Sequence, residues 1–251
     1  MRVRIRRTRL ARALSKSGYC SRSQASALIA AGRIRVNGQL VRDPEFPVVL
    51  TKDRIAADGG EISAASKLYL MMNKPRGIVT TARDEKGRAT VYSLLSHDLR
   101  WVAPVGRLDK ATEGLLLLTN DSEWGARIAS PEFHVPKTYH VQIATIVDQA
   151  LLDRLSAGVR SGEGDCLKVK YAALVRTGKR NSWIEIVLDE GKNRQIRRLF
   201  LSLGIEVMRL VRIAIGTLQL GDLPTGKVRE LTQDEKNQLD LISGLSGQPR
   251  A

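Results

Sequence analysis

Four consecutive leucines, Leu115–Leu118, sit in the stretch VGRLDKATEGLLLLTND, residues 105 to 121, between an acidic turn and a polar Thr-Asn-Asp close. Successive side chains of a strand point to opposite faces, so leucine at every position leaves neither face for water. The run predicts a central, buried strand over Leu115–Thr119. One carboxylate, Asp109, stands at its mouth between Arg107 and Lys110. Alone, it would read as a turn residue paired with either cation. The surrounding chain decides what else it is.

The chain of 251 residues carries 41 Lys and Arg against 26 Asp and Glu, a formal charge of +15. No stretch approaches the roughly 20 apolar residues of a membrane span, and no apolar core follows the basic start, so the excess charge points to a polyanion rather than a membrane. Cys20 and Cys166 lie far apart and outside any C-x-x-C pair, which argues against a disulfide framework or zinc site and for a reducing cytoplasm. Eleven of the bases fall in residues 1 to 42, with no acid before Asp43. That asymmetry marks a separate nucleic-acid-binding module.

A transit peptide would also be basic and acid-free, but this segment reads as folded. Leu10, Ala13 and Leu14 recur at helical spacing, and Ser21 caps a second helix with apolar Ala25, Leu28 and Ile29 and a stop at Gly32. Ile34 and Val36 then alternate with Arg33 and Arg35, and Asn37-Gly38 supplies a tight hairpin turn into Leu40-Val41. A Pro- and Asp-rich loop follows, and residues 43 to 65 are expected to tether the module to the rest. Beyond Ser66, strands are predicted at Leu68–Met72, Leu115–Thr119, Thr138–Ala144, Leu167–Val175, Trp183–Leu188 and Val207–Ile213. Helices are predicted at Trp124–Ala129, Asp148–Ala157 and Asn193–Leu203, and from Thr232 behind a capping box. Strands dominate, giving an α+β fold around a largely antiparallel mixed sheet. The expected organisation is a module over 8–62, a larger domain over 66–241 and a disordered tail over 242–251.

Several motifs carry little. Gly221 to Lys227 has P-loop spacing, but Val228 replaces the Ser or Thr that would hold magnesium, and a hairpin turn explains the glycines. His97, His134 and His140 lack metal-ligand spacing, and no G-x-S-x-G elbow occurs. Neither metal nor organic cofactor is expected.

Three stretches lift Asp109 above a turn residue. Lys137-Thr138-Tyr139 opens an alternating strand that can aim an aromatic ring into a cleft. Glu190 to Arg198, EGKNRQIRR, clusters cations at a turn into a helix. Asn73 to Gly77, NKPRG, adds a basic turn. An acid to react, a ring to stack and cations to keep the acid ionised and grip phosphates are what one flipped nucleoside needs. Expected RNA contacts are Arg9, Arg12, Arg22, Arg33, Arg35 and Asn37 in the module, and Lys74, Arg76, Lys137 and Arg198 beyond it.

SRSQASALIAAGRIRVNGQLV resembles the small αL RNA-binding module shared by a ribosomal protein and many RNA-modifying enzymes. PVGRLDKATEGLLLLTND, KTYHVQI, EGKNRQIRRLF, MRLVRIAIGTLQLGDLPTGKVRELT and, at the start, NKPRGIVTT resemble the successive motifs of RsuA-type ribosomal RNA pseudouridine synthases, in order, across residues 8 to 241. Ser122 departs from the glycine usual after the Asn-Asp pair. The resemblance implies Asp109 as nucleophile, Tyr139 stacking on uracil and aiding proton removal, an arginine beside Asp109 (Arg197 first, Arg194 second), and Arg107 displacing the flipped base. The reaction it implies detaches uracil from ribose C1′ and reattaches it through C5, by an ester at the sugar, addition to the base or a glycal. The implied partner is ribosomal RNA or an assembling ribosomal particle, and a monomer is expected. Two rival readings fit less well: a non-catalytic RNA-binding or assembly factor, which has no use for a lone acid in a basic cleft, and a methyltransferase, for which Gly162-Glu163-Gly164 is too weak a cofactor loop.

Overall fold

A computed structural model describes residues 7–63, 65–81, 84–99, 101–162 and 164–245. The chain forms two compact units, one of residues 1–69, 96–103 and 118–125, the other of 70–95, 104–117 and 126–251.

The first unit contains β1 (Thr8–Arg9), α1 (Leu10–Lys16), α2 (Arg22–Ala30), β2 (Ile34–Val36), β3 (Gln39–Val41), β4 (Pro47–Val48), β5 (Ile55–Ala57) and β6 (Gly60–Glu61). Ser21 and Gln24 close a reciprocal capping box at the start of α2, each side chain bonding the other's backbone N–H. Asn37 (φ 52°) and Gly38 (φ 83°) both take left-handed conformations, as a two-residue hairpin between β2 and β3 requires. Ile34 and Val36 are buried with Leu10, Leu14, Ala25 and Ile29, while Arg35 points out. The stretch 43–65, expected as a tether, is part of this unit. Pro47–Val48 pairs with β1 and Ile55–Ala57 pairs with β2, so Val48, Ile55 and Ala57 fall in the same core.

The second unit is organised by a nine-stranded sheet made of β7 (Tyr69–Lys74), β8 (Ala103–Val105), β9 (Glu113–Thr119), β10 (Lys137–Ile143), β13 (Tyr171–Thr177), β14 (Ser182–Leu188), β15 (Val207–Ile215), β16 (Leu218–Gln219) and β17 (Val228–Glu230). The short strands β11 (Val159–Arg160) and β12 (Cys166–Leu167) pair with each other apart from it. The main order is β13-β14-β10-β15-β9-β7-β17. β9 runs parallel to β15, and the pairs β13–β14, β14–β10, β10–β15 and β7–β17 are antiparallel, the mixed but largely antiparallel sheet expected of the α+β reading. All four leucines of β9 have no exposed surface.

Among the described residues the further α-helices are α3 (Ser122–Ala129), α4 (Gln149–Ala157), α5 (Gln195–Ser202) and α6 (Gln233–Ile242). Val141, Ile143, Ile184, Ile186 and Leu188 of the sheet pack with Leu151 and Leu155 of α4 and Ile196, Leu199 and Phe200 of α5. Two expected elements differ. The strand Leu167–Val175 is two pieces, β12 and β13. The helix expected from Asn193 begins at Gln195, because Arg194 takes the left-handed conformation (φ 47°, ψ 32°) that turns the chain into α5. Residues 246–251 of the expected disordered tail lie outside the described residues, and 242 to 245 close α6.

Candidate active site

Asp109 lies in the loop from β8 to β9, and this loop is held from several sides. Five consecutive carbonyls accept hydrogen bonds from elsewhere in the unit. Thr80 Oγ1 reaches Leu108 O at 2.8 Å, Lys74 Nζ reaches Asp109 O at 3.2 Å, and Gly77 N reaches Lys110 O at 2.8 Å. Arg197 Nη2 reaches Ala111 O at 3.1 Å and Lys74 Nζ reaches Thr112 O at 2.8 Å. A loop with five consecutive carbonyls engaged has few conformations left, so the Asp109 side chain projects from a fixed backbone.

Lys74 therefore corrects an expectation. It was expected to touch RNA, yet it has no exposed surface and its ammonium also bonds Pro75 O at 3.1 Å. Its place at the end of a buried strand directs the side chain under the Asp109 loop instead of into solvent. Burial pulls its pKa down to about 8, opposed by the charges of Glu113 and Asp109.

The carboxylate of Asp109 is about half exposed, and Arg194 Nε stands 3.8 Å from its Oδ2. Arg197, the first choice for this pairing, bonds the carbonyls of Ala111 and Val207 instead (3.1 and 3.3 Å). Burial and the neighbouring Arg194 disfavour the charge of Arg197, and Asp109 offsets part of that. The two arginines divide the work because α5 starts between them. The left-handed turn at Arg194, costly by about 1–2 kcal/mol for a non-glycine residue, sends one guanidinium to the acid, while Arg197 lies along the first turn against the loop backbone.

Asp109 opens onto a cavity of about 330 Å³, the size of a small-ligand site. Arg107, Lys137, Tyr139, Arg194, Arg197 and Arg212 line it, with apolar walls that include Ile128, Leu188, Leu210 and Ile215. Arg76 is exposed. Arg198 is not part of this lining, since its guanidinium is held by Asp165 at 2.8 Å and Ser161 at 3.3 Å. Glu190, the cavity's second acid, is engaged by Gln195 at 2.6 Å and Lys192 at 3.1 Å. Among the described residues no group of three or more His, Cys, Asp or Glu is placed to hold a metal ion.

Sequence reasoning passed over Thr80, Gly77 and Arg212. The signal for Arg212 was present, an arginine inside the otherwise apolar run LVRIAI, but periodicity does not reveal a partner 97 residues away, the carbonyl of Leu115 at 2.7 Å.

In the first unit, Arg9, Arg12, Arg22, Arg33, Arg35 and Asn37 are all exposed. Arg9 pairs with Glu45 and Arg33 with Asp58, whereas Arg12 and Arg22 have no acid at ion-pair distance among the described residues. Asn37 bridges Asp53 and the backbone N–H of Arg54 (both 2.9 Å), which fixes the hairpin tip. No described helix is long and apolar enough to cross a membrane.

The family model for RNA pseudouridylate synthase matches residues 68–202, and that for the S4 domain matches residues 8–55. The chain belongs to the RNA pseudouridine synthases. It is 37% identical to the "Ribosomal large subunit pseudouridine synthase B" of Bacillus subtilis, over 94% of this chain and 96% of that one. It is 39% identical to an RNA pseudouridine synthase of Aquifex aeolicus, over 96% and 97%. A solved structure described as a pseudouridylate synthase shares 31% identity at a TM-score of 0.65, covering 92% of this chain and 99% of that one. With its S4 module the synthase has the RsuA-type arrangement, and it is an isomerase of uridine in RNA.

Proposed function

We propose that this synthase converts one uridine of ribosomal RNA to pseudouridine, with Asp109 as the nucleophile toward a base flipped into the cavity. The observation that carries the reading is the acid itself. A carboxylate beside a guanidinium, on a loop with five tethered carbonyls, opens onto a cavity that Tyr139 lines with a flat ring. Binding alone gives such an arrangement no purpose. The names of the relatives from Bacillus subtilis and Haemophilus influenzae point to large-subunit RNA as the substrate class.

In this reading Arg194 orients the Asp109 carboxylate. The carboxylate attacks C1′ as the C1′–N1 bond breaks and its electron pair passes to uracil. The base turns, C5 bonds to C1′, and the carboxylate leaves with the pair of the ester bond. The C5 proton is then lost with help from Tyr139, and N1 gains one, so the product is an isomer of the substrate. Fixing the acid on a rigid loop converts loop entropy into reaction probability. Arg107, exposed at the cavity rim, fills the gap left by the flipped base, and the S4 module supplies salt-sensitive affinity for structured RNA.

The test is a pseudouridine map of ribosomal RNA from cells lacking the gene, complemented with wild type or Asp109→Ala. One site lost on deletion and regained only with wild type supports activity, substrate and nucleophile together. An unchanged map removes the ribosomal substrate, and rescue by the variant removes Asp109.

A further inference from the structure

Arg212 and Lys137 are among the cavity's cations that have no acid at ion-pair distance among the described residues. Arg212 lies across the β10–β15 ladder from Tyr139 and is 5% exposed. Its Nε donates to Leu115 O at 2.7 Å, while its Nη2 is buried with no hydrogen-bond partner. Lys137 precedes Tyr139 by two positions on β10, so its side chain leaves the strand from the same face, and it lines the same cavity. Burial first, and then the charge of Arg212, holds the Lys137 ammonium below the ordinary lysine range, with Asp189 opposing.

A buried cation such as Arg212, beside a half-buried one such as Lys137, is costly without a counter-ion, and the pair on one cavity favours an anionic occupant. The walls say which anion. Ile128, Leu188, Leu210 and Ile215 make an apolar surround. A phosphate needs hydration and would sit at an open rim, whereas a flat heterocycle gains from apolar walls with donors at one edge. In the proposed reaction, on which this inference rests, uracil itself becomes the anion when C1′–N1 breaks.

We propose that Lys137 is a catalytic residue that stabilises the departing uracil anion, with Arg212 behind it adding to the positive field. The electron pair of the broken bond spreads over N1, O2 and O4, and the Lys137 ammonium donates a hydrogen bond to a carbonyl oxygen without surrendering its proton. When C5 bonds to C1′ and Asp109 departs, the negative charge returns to the carboxylate and the contact weakens. The same donor holds the free base in the cavity while it turns.

The experiment compares wild type, Lys137→Met and Lys137→Arg in single turnovers on RNA carrying either uridine or 5-fluorouridine at the target, alongside RNA affinity. Fluorine withdraws electrons and stabilises the leaving base, so it partly replaces what the lysine supplies. For 5-fluorouridine the readout is conversion to the C-linked isomer, which needs no loss of a C5 proton. Lys137→Met should be about 100-fold slower on uridine, with RNA affinity unchanged within about twofold. Its deficit on 5-fluorouridine should be several-fold smaller, and Lys137→Arg, which keeps the charge, should recover most of the rate. Equal deficits on the two substrates overturn the proposal, as does a loss of affinity with the rate intact, which would make Lys137 a phosphate contact. Wild type inactive on uridine would instead remove the reaction on which the inference rests.

Discussion

Replacing Lys74 with methionine separates stability from activity. The side chain is fully buried and its ammonium serves the carbonyls of Pro75, Asp109 and Thr112. Depression of its pKa from 10.5 to about 8 corresponds to a charge-burial cost of about 3 kcal/mol at neutral pH, which methionine relieves. Against that, Asp109 O keeps its bond from Thr112 N, but Pro75 O and Thr112 O lose the lysine, at about 1–3 kcal/mol each. The two sides nearly cancel, leaving a destabilisation of about 1 kcal/mol. The loop meanwhile loses two of its tethers, and a shift of about 1 Å in the reacting carboxylate costs roughly 100-fold in rate.

The assays are urea unfolding at several pH values and release of tritium from C5 of labelled uridine in RNA. Linkage fixes the sign of the pH effect. The folded pKa lies below the unfolded one, so between about pH 8 and 10.5 the unfolded chain binds the extra proton and wild type gains stability with rising pH. Lys74→Met lacks that gain, and the gap between the two proteins should widen as pH rises through this window. A variant of wild-type rate would refute the loop argument. A gap independent of pH would refute the depressed pKa.

Two further outcomes follow from single positions. A Cβ added at Gly114 (φ 99°) would lie 2.2 Å from Arg212 O, where β9 pairs with β15 and backbone cannot yield; Gly114→Ala should therefore cost about 3–4 kcal/mol in urea unfolding, and a cost below about 1 kcal/mol would show that the close approach is relaxed in solution. Substituting Arg12 and Arg22 together by alanine should lower the slope of log affinity against log salt by about 1–2, and the same change at the acid-paired Arg9 and Arg33 should lower it less.

Much of the fold was legible because its causes are local. Four adjacent leucines leave a strand no solvent face, Asn37-Gly38 is a turn whatever surrounds it, and Ser21 and Thr232 cap helices through groups three residues away. The cluster around Asp109 was legible in residue type, since an acid among cations before a buried strand is visible in any reading of the chain.

Who touches whom was not local. Lys74 and Arg76 share one basic turn in sequence, but Lys74 is the last residue of a buried strand and lies beneath the loop, whereas Arg76, past the strand's end, is exposed. On paper Arg197 stands ahead of Arg194, yet a single left-handed residue at the start of α5 gives the acid to Arg194 and the loop backbone to Arg197. The stretch 43–65 reads as a tether because Pro and Asp break patterns, yet its few apolar residues find a core built by residues 10 to 36. Sequence by itself determined most of the longer secondary elements, the basic module and the chemical kinds gathered near Asp109, because capping, turn chemistry and strand periodicity act within a few residues. Tertiary structure alone decided which cation meets the acid, which is buried beneath it and which are left uncompensated in the cavity, because charge interactions depend on distance and burial across strands far apart in the chain.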